Sequence, residues 1–243
     1  MIGTIVGMVG GGGAILAVPM LVYVARADVK TAIETSLFAV GSTSAGAALV
    51  HAKNKNVRFR VGISVGVAAM IGAFGGAKVA HFVSGNVLLL VFGFLMIFSA
   101  TMMLRRRVVK DDERRLAHPP IARAIVIGFA IGTISGFVGA GGGFLLVPAL
   151  AIFGGLTIRE AIGTSLFVIA LQSFAGFLGH LGDTSPDVTL MIVVTGGAAV
   201  GSLLGAALGQ KAKPHTLRRM FAWLVIAMGI FVFVEALVNV RRQ

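Results

Sequence analysis

Eight apolar stretches, nearly all long enough to cross a lipid bilayer as a helix, make up most of this chain. A helix of about 20 apolar residues spans the hydrocarbon core of a membrane. Of the 243 residues, 57% are hydrophobic and 12% are charged, whereas a soluble domain carries about 25% charged residues. We therefore predict an all-α polytopic membrane protein with the lipid bilayer as its main solvent. The apolar stretches cover residues 1–25, 31–51, 60–80, 85–104, 121–154, 159–179, 187–209 and 216–239.

The charged residues limit the partners that this chain can have. Its formal net charge is +12, a value that in a soluble protein would suggest nucleic-acid binding. Here the Lys and Arg residues lie in short segments between apolar stretches, where they set the orientation of a membrane protein. We therefore expect no nucleic-acid partner. The chain has no cysteine, which excludes disulfides and thiolate metal sites, and we expect no metal, no cofactor and no enzymatic activity.

The chain contains two copies of one unit. A single shift that carries Pro19 onto Pro148 also aligns several glycines and two histidines. Without a gap, the same shift superposes a Thr-Ser-Leu-Phe run at 35–38 on an identical run at 164–167. Apolar bias raises the number of chance matches, but it does not align proline, histidine and a four-residue run. We therefore predict two homologous repeats of four stretches each.

A charged segment separates the two repeats. The first repeat covers residues 1–104 and the second covers residues 121–243. Residues 105–120 form a linker rich in Arg, which we place in the cytoplasm because positive charge collects on that side of a membrane. Several glycines recur at a spacing that lets membrane helices approach closely, and we expect them to serve packing. These glycines are Gly72, Gly75, Gly76, Gly201 and Gly205.

The distribution of positive residues favours an inverted orientation of the repeats. If each repeat crossed the membrane four times, the repeats would be parallel, with thirteen Lys or Arg residues inside and seven outside. If the glycine runs at 10–13 and 139–143 divide the first stretch of each repeat, each repeat has five segments and the repeats are inverted. Sixteen Lys or Arg residues then lie inside and four outside, in better agreement with the positive-inside rule. We predict inverted repeats with a glycine-broken first helix, a recurrent transporter design.

The two glycine runs are the first candidates for a binding site. Successive glycines break a helix, and non-helical backbone at membrane depth persists only in a protein interior or beside a cavity. The helix that follows each break begins with free amide groups, which together with the helix dipole favour an anion. The alternative is that these glycines only permit close packing. The candidate anion-binding residues are Gly11, Gly12, Gly13, Gly141, Gly142 and Gly143.

Hydroxyl and amide side chains within the spans are the second candidates. Thr35 and Ser36 follow the first glycine run, and Thr164 and Ser165 occupy the equivalent positions in the second repeat. Such hydroxyls can donate hydrogen bonds to an anionic oxygen, but within a helix they often bond back to a carbonyl of the preceding turn. Further polar candidates in the same two spans are Thr43, Ser44, Gln172 and Ser173.

Three ionisable residues are candidates for coupling transport to protons or another ion. Glu34 is a carboxyl within a span, a position that in membrane proteins often serves proton transfer; alternatively, it pairs with Lys30 one turn earlier. His51 and His180 close the second span of each repeat. A histidine titrates near neutral pH and can sense protons, although at the edge of a span it is also a common interfacial residue. Both roles stay open for each of the three.

A doubled motif connects these candidates to a known family. The pattern G-x-x-G-x-G-G, followed by V-P and then by A-[IV]-x-T-S-L, runs from Gly7 to Leu37 and again from Gly136 to Leu166. This motif resembles that of the TauE/SafE family of sulfite exporters, also called the 4-toluene sulfonate uptake permease family, and the resemblance covers nearly the whole chain. It implies a permease of the bacterial inner membrane for small sulfur-containing anions such as sulfite, sulfonates or sulfoacetate.

These features together predict a secondary transporter that works by alternating access. The glycine-broken helices and the Thr-Ser pairs would clamp the substrate anion between them. A passive anion channel is the nearest alternative. A more distant one is a rhomboid-type intramembrane serine protease, with Ser135 as nucleophile and His180 as base, although the usual G-x-S-G spacing is missing. The sequence leaves the oligomeric state open.

Overall fold

All regular secondary structure in the described part of the chain is α-helical. The structure is a computed structural model, and it describes residues 16–105, 121–139, 146–147, 149–150, 155–181, 187–209 and 214–241. Eight helices and no strand are present in these ranges, which confirms the predicted all-α fold. The helices are α1 Ala17–Tyr23, α2 Val29–Lys53, α3 Phe59–His81, α4 Gly85–Arg105, α5 Ile121–Val138, α6 Ile158–His180, α7 Val188–Gly209 and α8 Pro214–Arg241.

Polar residues fix the starts of the two helices that carry most of the predicted site. Asp28 precedes α2, and its carboxylate accepts a hydrogen bond from the backbone N–H of Lys30 at 3.0 Å. Thr157 precedes α6 in a capping box, in which the Glu160 carboxylate accepts from the Thr157 N–H at 3.1 Å. Such caps satisfy amide groups that the first helical turn leaves without partners. Both helices therefore begin within two residues of their apolar stretches.

Within the part of the chain that the structure describes, three helices, α2, α3 and α6, are long and apolar enough to cross a membrane. Shorter apolar helical segments accompany them at Gly85–Thr101, Ile125–Val138, Val188–Val200 and Ala222–Val238. Large apolar side chains form an exposed stripe along α3. Exposure of such a stripe is unfavourable in water and favourable in contact with lipid. The chain is therefore a multi-pass membrane protein. The exposed stripe consists of Ile63, Val67, Ile71 and Phe74.

Small residues bring α3 and α5 into direct backbone contact. In α3, Gly72 and Gly76 lie against the backbone of α5; in α5, Gly132 and Gly136 lie against the backbone of α3. A side chain at any of these four positions would collide with a carbonyl oxygen of the facing helix. The predicted packing role therefore holds for Gly72 and Gly76. Gly75, by contrast, faces open space, so the same prediction is wrong for Gly75.

Helices α2 and α6, which are equivalent in the duplication, pack against each other in antiparallel orientation. Leu37, near the start of α2, contacts Gly176 near the end of α6. His51, near the end of α2, lies against Gly163 near the start of α6. Parallel repeats would align equivalent helices in the same direction. Antiparallel packing is what inverted repeats produce, and the inversion itself stays a prediction.

The helices of the two repeats interlock. Helix α3 of the first repeat packs on α6 of the second, α7 of the second packs on α2 of the first, and α4 packs on α8. The larger apolar core joins side chains of α1, α2, α4 and α8, among them Leu37, Phe92 and Val232. The predicted linker beyond Arg105 lies outside the described residues. So do the side-chain surroundings of two glycines in α7 for which we predicted a packing role. Those glycines are Gly201 and Gly205.

Candidate functional site

Eleven polar or charged side chains are buried in the described part of the chain, and nine of them lie on α2 and α6. Burial of a polar group in an apolar interior is unfavourable unless a hydrogen bond compensates it. Polar residues inside a membrane protein are therefore concentrated where function requires them. The α2–α6 pair is the candidate site, and its buried polar residues are Glu34, Thr35, Ser36, Ser44, Thr164, Ser165, Gln172, Ser173 and His180.

Ser36 is hydrogen-bonded to the first residue of the second glycine run. Its hydroxyl donates to the carbonyl oxygen of Gly139 at 2.6 Å, between two buried groups. Helix α5 ends at Val138, and Gly139 has a φ of 75°, a left-handed conformation that suits glycine. The side chain of Ile33 fills the space where a Cβ at Gly139 would lie. One turn of α2 therefore holds the end of α5 where the predicted break begins.

The remaining residues of both glycine runs lie outside the described residues. Helical structure is present beyond each run, in α1 and again at residues 146–147. The part of these residues in anion binding stays a prediction. The predicted residues concerned are Gly11, Gly12, Gly13, Gly141, Gly142 and Gly143.

The second Thr-Ser pair makes different contacts from the first. The Ser165 hydroxyl donates to the carbonyl of Ile162 in its own helix at 2.8 Å, the common alternative for such a hydroxyl. The Thr164 hydroxyl oxygen accepts a hydrogen bond from the backbone N–H of Arg58 at 3.0 Å. Because Arg58 immediately precedes α3, Thr164 ties the start of α3 to α6.

The antiparallel register places the two Thr-Ser pairs, 35–36 and 164–165, toward opposite ends of the α2–α6 pair. From the helical rise of 1.5 Å per residue, the two pairs lie about 20 Å apart along the helices. Near the middle, the Gln172 side-chain amide donates to the Ser135 hydroxyl oxygen at 3.4 Å. The buried Ser173 hydroxyl has no hydrogen-bond partner among the described residues. The polar side chains therefore follow the length of the helix pair instead of forming a single cluster.

Two of the three coupling candidates are almost completely buried. Glu34 and His180 are each 1% exposed, whereas His51 is only partly buried. The His180 ring contacts the carbonyl oxygen of Gly136 through Nε2 at 2.8 Å. Its Nδ1 has no hydrogen-bond partner among the described residues. His180 is thus buried within the protein at the end of α6, and its part in coupling stays a prediction.

Comparison with known proteins places this chain in a family. A family model described as "Sulfite exporter TauE/SafE" matches residues 1–232. The chain belongs to the TauE/SafE family. It is similar to a "Probable membrane transporter protein" of Xylella fastidiosa, with 33% identity over 239 residues, 96% of this chain and 91% of the relative. The TauE/SafE chain is therefore a membrane transporter.

More distant relatives of this TauE/SafE protein carry similar names. The "Probable membrane transporter protein YdhB" of Bacillus subtilis is 29% identical over 209 residues, which cover 85% of each chain. A "Probable membrane transporter protein" of Methanocaldococcus jannaschii is 29% identical over 255 residues, 95% of this chain and 92% of the relative. No solved structure matches the chain.

The contacts of Ser135 and His180 give no support to the serine-protease alternative. Both residues are buried, and no hydrogen bond joins them in the described structure. Ser135 instead accepts from Gln172, and the His180 Nε2 is engaged by the carbonyl of Gly136. A nucleophilic serine needs its base within hydrogen-bond reach. A transporter role, as in the TauE/SafE family, agrees with the prediction that the chain is not an enzyme.

One contact between the repeats was not anticipated from the sequence. The Arg58 Nε donates to the Glu160 carboxylate at 2.8 Å, and the Arg58 backbone N–H donates to Thr164. The α2–α3 connection of this TauE/SafE protein is thereby attached to the first turn of α6. The sequence does carry one signal, since Thr157 and Glu160 have the spacing of a capping box. That spacing identifies the helix start but not the arginine that binds there.

Proposed function

We propose that this TauE/SafE protein is a secondary transporter that moves small sulfur-containing anions across the bacterial inner membrane by alternating access. The substrates we propose are sulfite, sulfonates or sulfoacetate. The observation that carries the proposal is the buried contact between Ser36 and the carbonyl of Gly139. It joins a transmembrane hydroxyl to a helix end inside the protein, and non-helical backbone at this depth persists only in an interior or beside a cavity.

The chemistry of the candidate residues suits an oxyanion. Backbone amides of the glycine runs and of the helix starts that follow them would donate hydrogen bonds to sulfonate or sulfite oxygens. Of the two Thr-Ser pairs, the first lies beside the second glycine run through Ser36. Midway along α2 and α6, the amide of Gln172 and the hydroxyl of Ser173 add further donors. No positive side chain is required, because the amides and hydroxyls already carry the complementary partial charge.

The predicted inversion of the repeats is the basis for proposing alternating access. In inverted repeats, one bundle rocks against the other around a central site, so that the site opens to either side in turn. The antiparallel packing of Leu37 on Gly176 and of His51 on Gly163 supports such a relation. The two Thr-Ser pairs, at opposite ends of the helix pair, would then contact the anion in different states of the cycle and not together.

A flux experiment tests the proposal. The full chain is reconstituted in liposomes, and uptake of radiolabelled sulfite, thiosulfate, sulfoacetate and 4-toluenesulfonate is measured with protein-free liposomes as the control. We expect saturable uptake of at least one sulfur-containing anion and its acceleration by the same anion on the opposite side, since alternating access permits exchange. Uptake that shows neither saturation nor exchange would favour the passive anion channel. The absence of uptake for every probe would contradict the proposed substrate class.

A further inference from the structure

Helix α5 is held in place by contacts with two other helices. Its glycines Gly132 and Gly136 lie against the backbone of α3, at Ala69 and Ala73. The carbonyl oxygen of Gly136 also contacts Nε2 of His180, on α6, at 2.8 Å. Both alanines are 0% exposed, so α5 covers this face of α3 completely. A helix in this position therefore needs two glycines one turn apart that face alanines, and a histidine beside the second glycine.

The first nine residues of the chain repeat the sequence of the last half of α5. The shift that relates the two repeats places residues 1–9 on residues 130–138, and six of these nine positions are identical. A Gly-Thr pair at 3–4 falls on the Gly-Thr pair at 132–133, and Gly7 falls on Gly136. Copies of one unit in a duplicated chain fold alike. Residues 1–9 themselves lie outside the described residues, but the surface that would receive them is described.

Helix α7 carries the surface that corresponds to the α5-binding face of α3. The same shift carries Ala69 of α3 onto Ala198 of α7. The described packing follows this exchange of the repeats, because α3 packs on α6 and α7 packs on α2. The exposed faces correspond as well, since Ile71 of α3 and its counterpart Val200 of α7 are 61% and 59% exposed. Helix α7 therefore has one face toward lipid and another that corresponds to the α5-binding face.

The receiving surface is less covered than its counterpart on α3 and α6. Val65 and Ala69 are 1% and 0% exposed beneath α5, whereas Val194 and Ala198 at the equivalent positions of α7 are only partly buried. On α2, the His51 ring makes no hydrogen bond to a described residue, although its Nδ1 is buried. The equivalent ring on α6 contacts α5. Both parts of the surface thus lack the contact that α5 provides in the other repeat.

The chain that follows each glycine run occupies an equivalent place. Leu21 lies in the apolar core that contains Ala32, and its counterpart Leu150 lies in the core that contains Ala161. The shift has no gap between the glycine runs and these leucines, so the same number of residues leads back from each leucine to the preceding segment. Fifteen residues precede the described part of the chain. The connection therefore permits residues 1–9 to lie on α7 as the end of α5 lies on α3.

We propose that residues 1–9 of this chain pack on the face of α7 that contains Val194 and Ala198, with the carbonyl oxygen of Gly7 against the His51 ring. Gly3 and Gly7 let the backbone approach α7 closely, as small residues do between membrane helices. The first glycine run then begins beside the start of α6, as the second begins beside the start of α2. The inference goes beyond the proposed function, and because its tests measure no transport, it can fail while the transport proposal stands.

Cross-linking in membranes tests the position of residues 1–9. The chain has no native cysteine, so the double variant Thr4→Cys, Ala198→Cys carries two thiols and no others. A short bifunctional thiosulfonate is added, and a protease site introduced into the 105–120 linker then separates the repeats on a denaturing gel. We expect the treated chain to keep its full length after cleavage, because the two cysteines lie at one helix contact. A reductant should release the two halves.

Two further double variants are the matched controls. Thr133→Cys, Ala69→Cys places thiols at the equivalent positions of α5 and α3, in a contact that the structure describes, and it should cross-link to a similar yield. Thr4→Cys, Val200→Cys uses a residue on the exposed face of α7, and it should separate into halves after cleavage.

Melting temperatures test the same packing without cysteines. A side chain at Gly132 would collide with the carbonyl oxygen of Ala69, so Gly132→Val should lower the melting temperature by about 4 °C or more, as overpacking of a close contact does. Gly3→Val should lower it by a comparable amount, because Gly3 faces Ala198 in the same way. Gly75→Val, at a glycine that faces open space, is the control for helix propensity and should change it little.

Three results would overturn the inference. The first is separation of the Thr4→Cys, Ala198→Cys variant into halves under conditions that cross-link the Thr133→Cys, Ala69→Cys variant. The second is a Gly3→Val protein that melts at the wild-type temperature, a result that needs no cysteine variant to fold. The third is cross-linking of Thr4→Cys, Ala198→Cys into a dimer before cleavage, which would assign the α7 face to a second copy of the chain.

Discussion

At the scale of single residues, a side chain in the first repeat fixes the end of a helix in the second repeat. Ser36 belongs to the first repeat, and its hydroxyl holds the carbonyl of Gly139 in the second. Gly139 adopts a positive φ, which an L side chain rarely tolerates. The position at which α5 ends therefore depends on a hydroxyl far away in the sequence.

Ser36→Ala tests that dependence. The substitution leaves the buried carbonyl of Gly139 without this donor, so we expect the free energy of unfolding to fall by about 1 kcal/mol or more and anion flux to decrease. Thermal denaturation in detergent and proteoliposome flux measure the two effects. Ser165→Ala is the matched comparison, because the Ser165 hydroxyl bonds only within its own helix, and we expect a smaller loss of stability. Equal losses of stability for the two variants would contradict the role given to Ser36.

The sequence places these hydroxyls within predicted spans, but it does not show what they bind. Ser36 and Ser165 lie in identical Thr-Ser-Leu-Phe runs inside apolar stretches, and both are buried. Their partners differ, because one faces the end of α5 and the other faces only its own helical turn. That difference depends on which helix packs alongside, which the local sequence does not specify. For His180, likewise, the sequence left open whether the ring lies at the membrane surface or in the interior.

At the scale of helices, glycines act by the direction in which they face. Gly75 and Gly76 are neighbours in sequence, but successive residues of a helix point about 100° apart. Gly76 lies against the backbone of α5, whereas Gly75 faces open space. The small-residue spacing therefore predicts that close packing occurs on α3, although only the packed structure shows which glycines contact the neighbouring helix.

Gly76→Val should separate α3 from α5. The added side chain would collide with a backbone carbonyl that cannot move independently of its helix, so we expect a loss of about 2 kcal/mol or more in stability. The melting temperature of the purified protein in detergent provides the measurement. Gly75→Val is the matched control and should change the melting temperature little. A control variant as unstable as Gly76→Val would show that helix propensity, and not packing, causes the effect.

The contact between Arg58 and Glu160 is a place where movement between the repeats can be tested. Arg58 is largely exposed and Glu160 is partly buried, so the ion pair itself stabilises the fold by at most about 1 kcal/mol. If alternating access separates the α2–α3 connection from α6, a covalent bond at this place should stop transport. We expect cross-linking of the double variant Arg58→Cys, Glu160→Cys by a short bifunctional thiosulfonate, which replaces the reach of the two long side chains, to abolish flux and a reductant to restore it.

The absence of native cysteine makes this experiment free of background reactions. Each single cysteine variant treated with the same reagent is the control and should retain its flux. Transport that continues in the cross-linked double variant would show that this connection does not move during the cycle.

At the scale of the whole molecule, the predicted inversion of the repeats determines on which side of the membrane the C-terminus lies. Five segments in each repeat would place both termini outside the cytoplasm and most positive residues inside, in agreement with the positive-inside rule. We therefore expect a single cysteine added after Gln243 to react with a membrane-impermeant maleimide in intact spheroplasts. A cysteine introduced at Val109, in the linker that we predict to be cytoplasmic, is the control and should react only after lysis. A C-terminus that reacts only after lysis would contradict the inverted arrangement.

The sequence predicts the membrane class and the helical fold because the length and apolarity of each stretch are local properties. Membership of the TauE/SafE family could also be predicted, since the doubled motif is a local feature of the sequence. The pairing of α2 with α6 was not accessible in the same way. It depends on contacts such as Leu37 on Gly176, between residues that are distant in the chain and individually unremarkable in type.

The interlocking of the repeats has a consequence for the order of synthesis. Helix α3 is made before α5 and α6, yet it packs mainly on these two later helices. The glycine face of α3 therefore stays unpacked in the bilayer until the second repeat has been inserted, and so do Glu34 and Ser36 on α2. If synthesis stopped after the linker, the first repeat alone would expose polar groups to lipid. We therefore expect the isolated first repeat to be bound by membrane chaperones or degraded by quality-control proteases.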